Sequence, residues 1–462
     1  MTANPARLMI AGTGSGCGKT TVTCALLGAL KARGLAVASF KCGPDYIDPM
    51  FHSEILGTPS RNLDLFLMGE KGVRYSLAEN GKNADISVVE GVMGFYDGAG
   101  QTASYSSCHL ANIIQAPVVL TVSCKGMSLT VCALLKGMEA FLPNRIAGVI
   151  LNQVSSEKMF TFYREMIEAN TPFHVYGYFP PMPEATLGSR HLGLITAAEV
   201  DALKQKLSLL ADQAERTVDL DGLLQLSWKV NKISYEPILP RRTGQVRVGV
   251  ARDKAFCFYY EDSMQLISQC GAELVPFSPL ADKRLPEGLN GLILGGGYPE
   301  LYLKQLSANE SMRRSIWQAW HTGMPVFAEC GGFQYLQKAF VTDNGTAYPL
   351  AGCIDSESRM TRRLCRFGYM KLTAQKDTLL CRRGEEIPAH EFHYGDSSLC
   401  GNAFTARKES NGMEYPCIVA EGNLFAGYPH LHLYGNPAFA ERFVRACAAY
   451  RRGRTNDRGE SL

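Results

Sequence analysis

The sequence predicts an α/β protein of two doubly wound domains, on three observations. Short apolar, β-branched runs alternate with helix-like stretches along both halves. Near residue 240 the alternation breaks once, in a segment of prolines, charges and glycine without periodicity. Each half also carries a glycine-rich turn directly after such a run. Strands alternating with helices form parallel sheets. A chain of 462 residues also exceeds what one core organises, since a domain takes roughly 100–200 residues.

In the first half the predicted strands are Arg7–Gly12, 36–40, Ile86–Glu90, 117–122, 146–151 and 175–179, followed by a charged helical stretch over 197–225. Residues 236–245 read as a linker between domains at 1–235 and 246–450. The second series opens with Val246–Ala251, 274–277, Gly291–Leu294 and 325–328, interleaved with helices such as 309–321. The polar end, 451–462, reads as a frayed tail.

Hydrophobic residues at 46%, charged residues at 20% and a net charge of +3 are ordinary for a globular protein and point to neither nucleic acid nor an anionic membrane. The 15 cysteines are scattered, with no C-x-x-C pair for zinc or redox chemistry. With no signal peptide and no apolar run near the roughly 20 residues of a membrane span, the expected location is the cytoplasm.

The stretch Gly12-Thr13-Gly14-Ser15-Gly16-Cys17-Gly18-Lys19-Thr20 lies between a strand and an apolar helix over 21–31. That is the setting of a P-loop NTPase-like domain. Gly14, Gly16 and Gly18 let backbone N–H groups turn onto a phosphate, the helix N-terminus with Thr21 adds positive potential, Lys19 reaches the β,γ-oxygens and Thr20 ligates magnesium. Lys41, Asp45, Tyr46 and Asp48 follow the second strand, and Glu90 ends the third. Ligands gather at the carboxyl ends of strands, so Lys41, Asp45, Asp48 and Glu90 are expected to converge on the phosphates. Thr20, Asp48 and Glu90 are the candidate ligands of magnesium bound with ATP. Asp97, in a glycine-rich loop, is either a member of this group or a plain Asp-Gly turn.

Cys330 ends the strand 325–328 and precedes Gly331-Gly332, so it occupies a strand-to-helix elbow that exposes a nucleophile. The Gly331 N–H points where an oxyanion forms, and Gly296 and Gly297 of the preceding Gly-Gly-Gly turn offer a second donor. His430 and His432 supply the base and its orienting partner, in an order the sequence leaves open. A further group, His390-Glu391-Phe392-His393-Tyr394, reads equally as structural or as substrate-binding.

The register of the phosphate loop resembles dethiobiotin synthetase and its relatives; a partitioning-type ATPase would carry a lysine at Gly14. The second half is similar to class I glutamine amidotransferases, whose His-x-Glu aligns with His430 and His432. The joined motifs G-T-G-S-G-C-G-K-T, F-K-C-G-P-D-Y-I-D, V-V-E-G-V-M-G-F-Y-D-G, S-R-H-L-G-L-I-T (189–196), L-G-G-G-Y-P-E, A-E-C-G-G, R-F-G-Y, H-E-F-H-Y and H-L-H resemble the cobyrinate a,c-diamide synthase family from about residue 7 to 447.

This resemblance implies amidation of the a and c acetates of a corrin ring, with ATP, glutamine and a corrinoid carboxylate as substrates, in cobalamin biosynthesis. It also implies that Asp45, Tyr46 and Asp48 form the loop nearest the substrate carboxylate. Cobyrate synthases resemble F-K-A-Q-N-M there, so G-P-D-Y favours a,c-diamidation. Hydrogenobyrinate and nickel sirohydrochlorin are alternative substrates for the same chemistry, and a nucleotide-switched regulator is a remote alternative. The family's A-S-Y-x-H-x-H-F becomes Gly427-Tyr428-Pro429-His430-Leu431-His432-Leu433 here, and Pro429, with its fixed φ and missing N–H, leaves the aim of both histidines open.

Overall fold

The structure, a computed structural model, describes residues 1–187 and 197–457. The S-R-H-L-G-L-I-T motif, 189–196, lies outside them. The chain divides into two units, Met1–Pro237 and Ile238–Leu462.

The first unit is built on a seven-stranded parallel sheet. Its spatial order is Ser60–Leu63, Val37–Cys42, Ile86–Glu90, Arg7–Gly12, Val118–Ser123, Ile146–Asn152 and His174–Phe179. Four of these strands, Arg7–Gly12, Val37–Cys42, Ile86–Glu90 and Val118–Ser123, are buried almost throughout, which is why they read as continuous apolar runs rather than as alternation. Ser60–Leu63, an edge strand of sequence Ser-Arg-Asn-Leu, carries no such signal and is absent from the sequence reading. Arg7–Gly12 sits at the point where successive strands turn from one side of the sheet to the other, so the loop after it opens into the crevice where α/β sheets bind ligands.

Helix Lys19–Ala32 packs Val22, Ala25, Leu26 and Leu30 with Leu8, Ile10, Val88 and Val119 of the sheet, in one core with Leu203, Leu207 and Leu210 of helix Ala197–Thr217. Its Gly28 stands against Ala211, leaving an added Cβ 3.0 Å from that methyl. The single helical stretch expected over 197–225 is two helices, Ala197–Thr217 and Leu220–Trp228. Asp219 caps the second by accepting from Gly222 N at 2.8 Å.

In the second unit the strands Ala272–Phe277, Val246–Ala251, Gly291–Leu294, Val326–Glu329 and Leu424–Gly427 form a parallel sheet in that order, with Val419–Glu421 antiparallel at its edge. The expected α/β core is present. Between the fourth and fifth strands the chain adds two largely antiparallel sheets that the sequence reading does not assign. One of them pairs Arg366–Ala374 with Glu386–His393 and the latter with His430–Leu431. The terminal helix, Ala438–Asp457, carries regular structure through residues 451–457, where a frayed tail is expected. Among the described residues no helix is long and apolar enough to cross a membrane.

Candidate active sites

In the first unit, Gly16 and Gly18 take left-handed φ values of 77° and 101°, which lets the loop wrap without a Cβ clash. At Gly18 that clash would be with Asn152, whose Nδ2 donates to Cys17 O at 2.9 Å and ties the loop to the end of strand Ile146–Asn152. Nothing in the sequence marks Asn152 for this role. Lys19 donates from Nζ to Gly14 O at 2.9 Å. Burial lowers its pKa, against the carboxylates of Glu90 and Asp97.

Behind the loop lies a buried ionic cluster. Lys41 Nζ is 2.7 Å from Asp48 Oδ2 and 2.8 Å from Glu90 Oε1, and the same Glu90 oxygen accepts from Thr20 Oγ1 at 2.6 Å. Burial opposes the ammonium, but Glu90 and then Asp48 outweigh it and hold Lys41 charged, its pKa above the ordinary lysine value. Strand register explains the meeting, since Lys41 pairs with Glu90 across the parallel ladder. Asp48 reaches in from the first turn of helix Ile47–Glu54.

The remaining candidates stand differently. Asp45 Oδ1 accepts from Ile47 N at 2.7 Å and so caps that helix, while burial and then Asp48 raise its pKa to about 6. Tyr46, at the N-cap position, is buried. Thr21 lies in the helix's first turn. Asp97 is exposed and accepts from Gly94 N at 2.7 Å, the geometry of the plain turn, although its charge is felt by Lys19.

In the second unit, Cys330 has φ 45° and ψ −104°, a strained elbow for a residue with a Cβ. Its N–H donates to Gly427 O at 2.7 Å, fixing it to the neighbouring strand. His430 hydrogen-bonds its side chain. Burial lowers the pKa of His430, but Cys330 and then Glu329 raise it to about 10. Glu329, which the sequence reading passed over, places Oε2 3.8 Å from His430 Nδ1 and accepts from Leu431 N through Oε1 at 2.9 Å.

His432, for which the sequence leaves the roles of base and orienting partner both open, makes no hydrogen bond to Cys330 or His430 among the described residues. Its Nδ1 accepts from Tyr434 N at 3.3 Å, its ring lies against Tyr260 and Tyr434, and burial lowers its pKa to about 3. Pro429 follows strand Leu424–Gly427, and His430–Leu431 belongs to a different sheet, so the two histidines do not continue one strand beside the thiol. A signal for Glu329 was present: it is a charge closing the otherwise apolar strand Val326–Glu329 directly before the nucleophile.

The glycines around the thiol are required by space. An added Cβ at Gly296 would lie 2.6 Å from His430 Cε1, at Gly297 2.2 Å from Ala255 O, and at Gly331 3.3 Å from Gly297 N. The Gly297 nitrogen therefore lies close to the Gly331 α-carbon, and neither amide N–H has a hydrogen-bond partner among the described residues. Beneath them Tyr428 stacks on His393 at 3.9 Å and bonds Ser397 Oγ at 2.6 Å, and Tyr415 donates to Glu391 Oε2 at 2.7 Å.

A phosphate loop with a buried Lys–Asp–Glu cluster in one unit, and a thiol–imidazole–carboxylate series with two open amides in the other, define a nucleotide-binding, glutamine-dependent amide-forming enzyme. Two family models match the chain. A CobQ/CobB/MinD/ParA nucleotide binding domain covers residues 8–194 and a CobB/CobQ-like glutamine amidotransferase domain covers 247–438. Full-length similarity extends to curated relatives. The cobyrinate a,c-diamide synthase of Caldanaerobacter subterraneus subsp. tengcongensis is 40% identical over 96% of this chain and 99% of its own. That of Listeria innocua is 41% identical over 94% and 97%, and that of Thermoplasma volcanium 36% over 97% and 98%. The chain belongs to the cobyrinate a,c-diamide synthase family.

Proposed function

We propose that the protein uses ATP and glutamine to amidate the a and c acetate carboxylates of cobyrinic acid in the cytoplasm, through acyl-phosphate intermediates. The observation that carries this reading is that one chain holds both the Cys330–His430 pair and the Lys19, Lys41, Asp48 and Glu90 cluster.

The Cys330 thiolate attacks the γ-carboxamide of glutamine while the Gly297 and Gly331 amides stabilise the oxyanion. His430 gives its proton to the departing nitrogen, the C–N bond breaks, and water then hydrolyses the thioester to glutamate. Glu329 keeps His430 oriented throughout. In the first unit Gly14, Gly16, Gly18 and Thr21 cradle the phosphates, and Lys19 swings from Gly14 O to the transferring group. A substrate carboxylate oxygen takes the γ-phosphoryl group; ammonia then forms the C–N bond as phosphate leaves. Ionised carboxylate has no competent leaving group, so both half-reactions are required. Asp45, Tyr46 and Asp48 form the loop nearest that carboxylate.

Oxygen donors of the Thr20, Asp48 and Glu90 kind suit magnesium, which keeps few protein ligands and takes the rest from phosphate and water. Glu90 Oε2 is buried without a hydrogen-bond partner, 3.5 Å from the buried His52 Nε2, so the donor set of Thr20, Asp48 and Glu90, rather than an open oxygen, supports the ligand role. Magnesium bound there would neutralise charge on the transferring phosphoryl group. Lys41 would hold the two carboxylates in place.

The test is incubation with magnesium ATP, glutamine and cobyrinic acid, followed by mass spectrometry of the corrinoid, beside hydrogenobyrinic acid and nickel sirohydrochlorin. Two successive amidations of cobyrinic acid are expected. Turnover of only another tetrapyrrole would reassign the substrate, and no turnover of any would overturn the reading.

A further inference from the structure

The H-E-F-H-Y stretch is not used by the chemistry above, yet the fold brings one of its members opposite His430, the histidine paired with the thiol. In the antiparallel pairing of Glu386–His393 with His430–Leu431, His390 stands directly opposite His430. Cross-strand partners project to the same face with Cβ atoms about 5 Å apart, so the two imidazoles emerge side by side. Phe367 and Tyr369 meet the His390 ring at centroid distances of 5.8 and 5.4 Å. The residue is only 9% exposed, and its ring nitrogens have no hydrogen-bond partner among the described residues. A largely buried imidazole with both nitrogens open, beside the residue that protonates the leaving group, is available to a polar ligand.

We propose that His390 binds the substrate glutamine, accepting a hydrogen bond from an N–H of the γ-carboxamide and so aligning the nitrogen that departs. Thiolate attack directs the carboxamide oxygen to the Gly297 and Gly331 amides, which leaves its NH₂ on the histidine side. One histidine there must give a proton and the other must accept a hydrogen bond. Burial, followed by the positive charge of His430, lowers the pKa of His390 to about 3, which keeps it neutral and able to accept. The inference rests on Cys330 acting as the nucleophile on glutamine.

The test compares two substrates of the intact enzyme, glutamine and the γ-methyl ester of glutamate, which has the same acyl group and no amide N–H. His390→Ala is expected to lower kcat/KM for glutamine by about 10- to 100-fold. Ester hydrolysis should change less than about threefold, and amidation with free ammonia should be unchanged. His390→Asn, which restores an acceptor, should recover part of the loss. Equal losses on amide and ester would make His390 structural, and no loss on either would remove it from the site; both outcomes overturn the proposal. Cys330→Ala is the separate control, because its failure to abolish both hydrolyses would sink the nucleophile assignment instead. Activity toward the ester also reports that each variant is folded.

Discussion

Glu329 faces His430 across 3.8 Å from the residue immediately before the nucleophile, so thiol and orienting carboxylate come from one strand end while the imidazole comes from another sheet. With Oε1 anchored by Leu431 N at 2.9 Å, the carboxylate is fixed on the backbone that carries the histidine. Removing such a partner leaves the imidazole free to turn or to take the wrong tautomer. Glu329→Ala is expected to cut glutamine-dependent kcat by about 10- to 1,000-fold, with ammonia-supported amidation retained. His432→Gln should stay within about threefold. Steady-state glutaminase rates decide, and the reverse ranking would return the orienting role to His432.

Cys330→Ala separates the two half-reactions. Glutamine use should fall to background while free ammonia still supports amidation, because nothing in the Lys41 cluster depends on the thiol. An equal loss with both nitrogen sources would mean that the residue also supports the synthetase chemistry.

Lys41 neutralises two carboxylates, each at most 3% exposed. Taking one partner from a buried ion pair leaves an uncompensated charge, at a cost of about 3–5 kcal/mol. Lys41→Met is therefore expected to lower the stability of the first unit by that order, with ATP binding weakened as Asp48 and Glu90 repel. Urea unfolding and nucleotide titration measure the two effects, and a stability loss under about 1 kcal/mol would contradict the charged state assigned to the cluster.

What the sequence made legible follows contiguity. The phosphate loop needs only neighbours in the chain, and Lys41 with Glu90 needs only the rule that strand ends converge, so both were readable. Glu329 and His432 were not, because Pro429 separates strand Leu424–Gly427 from His430–Leu431 and two-residue spacing no longer says which histidine meets the thiol. The antiparallel sheets escaped for another reason. Strands such as Gly395–Ser397 are short and polar, and partners distant in the chain specify them; the parallel edge strand Ser60–Leu63 escaped for the same want of apolar signal. Asn152 carries no local signal, since its role is to fill the space that Gly18 leaves open.

Gly296 keeps room for the base. A methyl group there would lie 2.6 Å from His430 Cε1, inside any tolerable contact, and the ring is the group able to move. Gly296→Ala is expected to lower glutaminase kcat by at least about 100-fold. Circular dichroism and the ammonia-supported rate should be near normal. A glutaminase rate within a few-fold of the parent would show that the ring position is not critical.

The buried histidines make stability depend on pH with a definite sign. His432 titrates at about 3 when folded against an ordinary value of 6.5, because burial disfavours its charged form. A depressed folded pKa gives stability that is fully present above 6.5 and lost as pH falls from there toward 3, at about 1.4 kcal/mol per pH unit. His390 acts in the same direction. His430, raised to about 10, does the opposite: its contribution is complete below 6.5 and drains as pH rises through 10. His432→Gln, similar in size but not titratable here, should therefore flatten the acid limb. Urea unfolding free energy of the variant is expected to fall about 1.4 kcal/mol less per unit than that of the parent between pH 6 and 4. Parallel acid limbs in the two proteins would mean that His432 is protonated in the folded state, and with it that the second unit admits water to the pocket behind the base.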